Sequence, residues 1–395
     1  MAMTDNSLHS KKQKRRTFLK TGSATAIGLT GLAGCLTGGT DTSSETEETT
    51  AAGTDETGTN TTESGDLDFG GKEIDVMLNV GSLATVHKKY LIPHVEEKYN
   101  LKINTETGAT TSQLTKLQAN EDSPPDVFNL DVIGVDKASR NEWLEPLSDH
   151  TDIVTNLSDI DEKFVHYGSD GVSWEVGAFV PVINTNQWDS TPSSHSSVAT
   201  DSSATALTPF SWSNGPNLLL MASAVATGEP FDSQLDVEPG FQWLEENLKP
   251  KVSTIIQGVS SANQQLASGN VDTVNLYTDF LVYEMWKSGA PIEPLFRLEP
   301  TTCAFAETIS VSRNSENKEA ALVYANEALS PWFQEKVSAE MGAGVTNTKA
   351  SLAPEAEEFG AITPDEFDQL SYPDFEYVWN NRSDWAKRWN QIFSG

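Results

Sequence analysis

From Lys72 onward the sequence predicts an α/β protein built as two lobes, and three observations carry that prediction. Short apolar runs alternate with segments of helical spacing between Ile74 and Val132, which implies a largely parallel sheet. A second series of the same kind runs from Phe231 to Phe296. About 320 residues follow Lys72, long for one core but enough for two.

The elements can be taken in order. Ile74 to Leu78 reads as a buried strand followed by a polar loop. Tyr90, Leu91, Val95 and Tyr99 have helical spacing, and Pro93 is tolerated only in a first turn, so a helix is expected to start near it. Leu101 to Asn104 is a second strand, Ser112 to Gln118 a helix and Val127 to Val132 a third strand. Ser190 to Ala206 is almost all Ser, Thr and Ala, with only Val198 able to pack, and reads as a surface loop. Trp385, Trp389, Ile392 and Phe393 form a helical stripe suited to docking on a core.

The segment before Lys72 carries an address. Lys11, Lys12, Lys14, Arg15 and Arg16, followed by Thr17-Phe18-Leu19-Lys20, resemble a twin-arginine export signal. The apolar stretch Thr21 to Ala33 is diluted by Gly, Ser and Thr and falls short of the roughly 20 residues a spanning helix needs. It ends in Leu32-Ala33-Gly34-Cys35, which resembles a lipobox. Residues 1–34 are therefore expected to be a signal peptide, and Cys35 to hold a lipid on the outer face of the cytoplasmic membrane. Residues 35–70 form an acidic Ser/Thr-rich linker; Leu36 to Asp66 has no aromatic and no basic residue, and it reads as a disordered, self-repelling tether.

Charge narrows the partners. After residue 34 there are 20 basic and 56 acidic side chains, a net charge of −36 spread along the chain. Such a balance suits a protein that stays soluble where salt screens repulsion, and it resembles the secreted proteins of salt-loving archaea. Nucleic-acid binding is disfavoured by the same charge. The two cysteines give no disulfide framework and no Cys-based metal site, and the six histidines have no pair at ligand spacing, so neither metal nor cofactor is expected. Asn60, Asn156 and Asn381 stand in glycosylation sequons.

Several motifs then point to one family. Leu91 to Ile103 resembles a helix that ends in an acidic, aromatic, basic cluster before a strand; Pro125-Asp126-Val127 resembles a strand start, and Val180 to Asn184 a return strand. Gln265-Leu266-Ala267-Ser268-Gly269-Asn270-Val271-Asp272 is similar to a helix end at which glycine supplies a left-handed cap. Asn317 to Ala321 and Ser330 to Gln334 are similar to the helices that follow. The order of these motifs over residues 72–395 resembles the solute-binding proteins of ABC importers, in the branch that includes spermidine/putrescine-binding proteins.

The resemblance implies a type II periplasmic-binding-protein fold: two lobes, residues 71–182 with 309–395 and residues 183–308, joined by two crossing hinge strands near Phe179 to Ile183 and Thr308 to Val311. It implies a monomer that captures a small organic solute, best a polyamine or related organic cation, for membrane permease subunits. A zwitterionic or anionic solute, thiamine or iron(III) are the alternatives.

The resemblance also implies site residues. Phe305 and Glu307 stand where polyamine-binding members place an aromatic and a carboxylate; an ammonium in a dry cleft needs a carboxylate to offset its lost hydration, and an aromatic face adds about 0.5–2 kcal/mol. Alternatively Phe305 is core and Glu307 merely exposed. Tyr277 and Asp279 end the strand after Gly269, either as ligand contacts or as a core tyrosine and a helix cap. Asp131 and Asn79 end the third and first strands. Asn214 and Asn217 stand where polyamine-binding members carry acids. Arg297 could grip an anionic group or form a surface ion pair with Glu293 or Glu299. No nucleophile elbow, His-Glu-x-x-His or Ser/His/Asp set is present, so a binding protein without catalysis is expected rather than a secreted hydrolase.

Overall fold

The computed structural model describes residues 67–393; Arg15, Arg16, Cys35, Asn60 and nearly all of the linker lie outside the described residues. The strands are β1 (Lys72–Leu78), β2 (Leu101–Thr107), β3 (Val127–Asp131), β4 (Leu144–Glu145), β5 (Val165–His166), β6 (Gly171–Asn184), β7 (Thr205–Leu207), β8 (Val252–Ile255), β9 (Thr273–Thr278), β10 (Ile292–Pro294) and β11 (Cys303–Ser312). They form one sheet in the order β2-β1-β3-β11-β6-β9-β7-β8, with β4 on β11 and with β5 and β10 on β6.

Two parallel wings flank an antiparallel centre. β2, β1 and β3 run parallel, as do β9, β7 and β8. Between them β11 and β6 pair antiparallel with each other, β11 pairs with β3 and β6 with β9. Every residue of β6 and β11 is buried, as strands covered on both faces by helices must be. Parallel wings follow from strand-helix-strand connections. The long central strands carry the chain from one wing to the other and back, which gives the predicted two-lobed α/β fold its crossing pair.

Two sequence expectations change. The helix expected near Pro93 begins at Ser82 and runs to Tyr99; a wide π turn over His87–Leu91 precedes Pro93, so the missing proline N–H falls where the regular ladder is already broken. The expected surface loop at Ser190–Ala206 contains the helix His195–Asp201 and the start of β7. A capping box between Ser194 and Ser197 starts that helix, and His195 and Val198 anchor it. Hydroxyl-rich composition concealed the cap.

The second wing follows the expected pattern closely. The helix Val259–Ser268 ends at Gly269, whose φ of 72° is the left-handed conformation, and β9 begins four residues later. The last helix, Phe375–Phe393, buries Trp385, Trp389 and Ile392. It reaches both wings: Trp379 Nε1 donates to the Ile133 carbonyl beyond β3, and Trp389 packs on Phe210 beyond β7 at 5.0 Å.

Candidate functional site

Where the strand ends of the two wings meet the crossing pair, they enclose a cleft of about 640 Å³. Asn79 and Val80 reach it from the end of β1, Thr110 from the start of the helix after β2, Asp131 from the end of β3, Phe305 from β11 and Phe179 from β6. Trp212, Ser213 and Asn214 approach from the loop before the helix Gly215–Thr227, and Phe280 from the turn after β9. Phe305 is held between Phe179 at 5.0 Å and Phe280 at 5.5 Å, so the wall at the crossing is aromatic.

Beneath that wall three carboxylates stand side by side. Glu307 is the register partner of Asp131 on β3 and of Glu175 on β6. Direct pairing across a sheet brings like side chains close, where like charges are destabilising unless something neutralises them. A bulge between Glu307 and Thr308 breaks the β11–β6 ladder here, and the Glu307 amide N–H donates to Glu175 Oε1 at 2.9 Å. Asn79 Nδ2 donates to both Glu307 oxygens, at 2.9 and 3.0 Å, and reaches Thr110 Oγ1 at 3.3 Å. Ser213 donates across the cleft to Asp131, which also caps the helix Val132–Arg140 through Gly134 N–H at 3.2 Å.

A fourth carboxylate belongs to the group. Asp279 lies over Gly177, the partner of Phe305, and accepts from the Ala178 N–H at 3.1 Å. A Cβ at Gly177 would stand 2.5 Å from Asp279 Oδ1, so only glycine admits the carboxylate there.

All four are buried, and among the described residues none is ion-paired with Lys, Arg or His. Burial holds the Glu307 carboxyl well above the usual range; the Asp131 charge adds to this, and the Asn79 bond opposes it. Burial likewise raises Glu175 well above its usual value, with the charges of Glu307 and Asp279 adding. Burial raises Asp131, against hydrogen bonds from Ser213, Thr110 and Gly134 and the charge of Arg382. Burial pushes Asp279 up to about 7, against three backbone N–H groups. Asp131 on the cleft wall, with Glu307 buried behind Asn79, makes an acidic end beside aromatic rings that can accept a cationic group bringing its own charge and donors.

Of the sequence-predicted set, Asn79, Asp131, Asn214 and Phe305 line the cleft; Glu307 is fully buried behind Asn79, and Asp279 lies over Gly177. Tyr277 and Arg297 stand elsewhere, while Asn217, off the cleft's own lining, shares a small cavity beneath it with Asp131, Asn214 and Phe305. Tyr277 is buried under the helix Val259–Ser268, with its hydroxyl bonded to Asn263 Oδ1 at 3.2 Å. Asn217 lies beneath the cleft and donates to Cys303 Sγ at 3.2 Å. Arg297 is 79% exposed outside the cleft and pairs with Glu366, a partner absent from the sequence expectation. Sequence reasoning missed Glu175, Thr110, Trp212 and Ser213 as site residues. Glu175 had a signal, a single charge inside the otherwise uncharged run Gly171–Asn184; Trp212 and Ser213 directly precede the candidate Asn214, and Thr110 is brought near by tertiary structure.

Comparison with known proteins fixes the class. Residues 91–364 match the family described as bacterial extracellular solute-binding protein, and the chain belongs to it. No curated protein matches the chain. Among solved structures, an ABC transporter protein from Clostridium perfringens is similar at 21% identity and TM-score 0.65, covering 81% of this chain and 99% of that one. The periplasmic binding protein AgtB of A. tumefaciens, in complex with agropinic acid, is similar at 16% identity and TM-score 0.65, covering 82% and 99%. AfuA of Actinobacillus pleuropneumoniae, with fructose-6-phosphate bound, is similar at 17% identity and TM-score 0.64, covering 82% and 99%. The protein is an extracellular solute-binding component of an ABC transporter. No helix among the described residues is long and apolar enough to cross a membrane.

Proposed function

We propose that the cleft captures a small organic cation, a polyamine or a related amine, and delivers it to the permease subunits of an ABC importer. The observation that carries this reading is the buried pair Asp131 and Glu307, without an ion-pair partner, beneath Phe305. An ammonium there replaces its lost water with carboxylate acceptors and an aromatic face. The acids gather at one end, while Asn214, Gln257, Ser260 and Ser261 around the rest are uncharged, which favours a compact amine over a long polycation.

A second reading, a zwitterion such as an aminoalkylphosphonate, has its own support. The helices Thr110–Ala119 and Val259–Ser268 begin at the cleft with no side-chain cap, so free N–H groups and positive helix ends meet it. Calorimetric titration in molar KCl with putrescine, spermidine, thiamine and aminoethylphosphonate separates the two. Glu307→Gln is expected to weaken an amine by about tenfold or more, about 1.4 kcal/mol. Unchanged affinity removes Glu307 from the site.

In this reading the lobes are residues 71–182 with 309–395 and residues 183–308. A lipid on Cys35, reached by twin-arginine export, holds the protein near its permease on the acidic tether, in the saline surroundings its charge suits. Cys35→Ser is expected to release the protein into the medium; retention on the membrane would remove the anchor from the account.

A further inference from the structure

We propose that Glu175, which no solute in the cleft need touch, makes capture proton-coupled: when an ammonium settles on Asp131 and Glu307, the carboxyl row gives up a proton to solvent. The inference rests on the cationic reading of the cleft.

The geometry behind it is the row itself. Asp131, Glu307 and Glu175 occupy directly paired positions on three neighbouring strands, and Asp279 closes the group over Gly177. Four carboxylates at this spacing, buried and without ion pairs among the described residues, cannot all be ionised at once. Glu175 is fully buried; its Oε1 accepts the Glu307 N–H, and its Oε2 has no hydrogen-bond partner. The groups that bear on it are Glu307 from β11, Asp279 from the turn after β9, and the buried Tyr372 hydroxyl, also without a partner. Asp131 stands one strand further on. The cation that bears on the row is Arg382 of the last helix, which acts on Asp131 while donating to the Ser211 and Trp212 carbonyls. Burial raises all four carboxyls, and repulsion adds to it at Glu307, from Asp131, and at Glu175, from Glu307 and Asp279.

An arriving ammonium stays protonated. It donates N–H bonds to Asp131 and Glu307 as carboxylates, its charge stabilises both anions, and a carboxyl O–H bond breaks with the proton leaving to buffer. Glu175 sets how much proton the row holds beforehand, because it faces Glu307 across the β11–β6 pair as Asp131 does across the β11–β3 pair. It is a positioning residue for charge rather than a contact.

The test is titration of the purified protein with putrescine, spermidine and aminoethylphosphonate in molar KCl, from about pH 5 to about pH 8, in buffers of differing ionisation heat. The expected result is a binding heat that depends on the buffer, with affinity rising by up to about tenfold per pH unit for each proton displaced. Glu175→Gln is expected to flatten that slope and reduce the protons released. Infrared spectra of the ligand-free protein near neutral pH should contain a protonated-carboxyl band that weakens in Glu175→Gln. Buffer-independent heat, or an unchanged slope in Glu175→Gln, overturns the proposal. Absence of the infrared band removes the proton reservoir even where the amines bind. If none of the three solutes binds at any pH, the cationic reading falls and takes the proposal with it.

Discussion

Asp279 shows how a single buried acid shapes the stability of the ligand-free protein. Its folded value, about 7, lies above the unfolded 3.8, so the folded state holds the extra proton. Stability from this group is present below pH 3.8, falls as pH rises between there and about 7, and is flat above. Asp279→Asn keeps an oxygen for the Ala178 N–H and removes the titration. It should stabilise the protein by up to roughly 4 kcal/mol above pH 7 and by nothing below pH 3.8, measured by denaturant unfolding across pH. The neighbouring glycine gives the steric counterpart: Gly177→Ala puts a methyl against the same carboxylate and should cost about 1–3 kcal/mol in the same assay. Of these residues, Asp131, Asn79, Phe305 and Glu307 were legible as candidates because each stands at a strand end or on an alternating face. The burial of Glu307 was not, since strand alternation gives a face and not what covers it. The register of Glu175 and the pairing of Arg297 with Glu366 join positions far apart in sequence, and local pattern carries no information about either.

At the scale of elements, the helix Phe375–Phe393 links the two wings. Trp379 is bonded beyond β3, Arg140 from the first wing pairs with Glu376, and Trp389 packs on Phe210 beside the second wing. Its stripe of Trp385, Trp389 and Ile392 was legible from helical spacing, while its place across both wings was not. Trp389→Ala removes a residue 2% exposed and should cost about 3–5 kcal/mol, read from the urea midpoint. The strand-helix alternation was equally legible, but local rules failed at two elements where neighbours intervened. A π turn let a helix run into Pro93, and a serine cap built a helix in a segment that looked like loop. In both cases the competing signal was a backbone hydrogen-bond arrangement that composition does not report.

For the whole molecule, the excess of acidic over basic side chains outweighs any single pair. Ion pairs such as Lys102 with Glu73 and Lys387 with Asp384 are well exposed and contribute little. Repulsion among the remaining carboxylates opposes the compact state and is screened within a few ångströms in molar salt. Raising KCl from about 0.1 M to about 2 M should therefore lift the unfolding midpoint by about 5 °C or more in thermal scans; a midpoint that ignores salt would count against this account.

The position of β11 between β3 and β6 also dictates when this protein can exist at all. A nascent chain that has reached Thr302, about three quarters of its length, has both neighbours but nothing to join them. β11, one of the two central strands, is thus the last strand to be synthesised, and its closure links residues more than a hundred positions apart, a slow class of contact. Closure of the sheet therefore waits until β11 has been made.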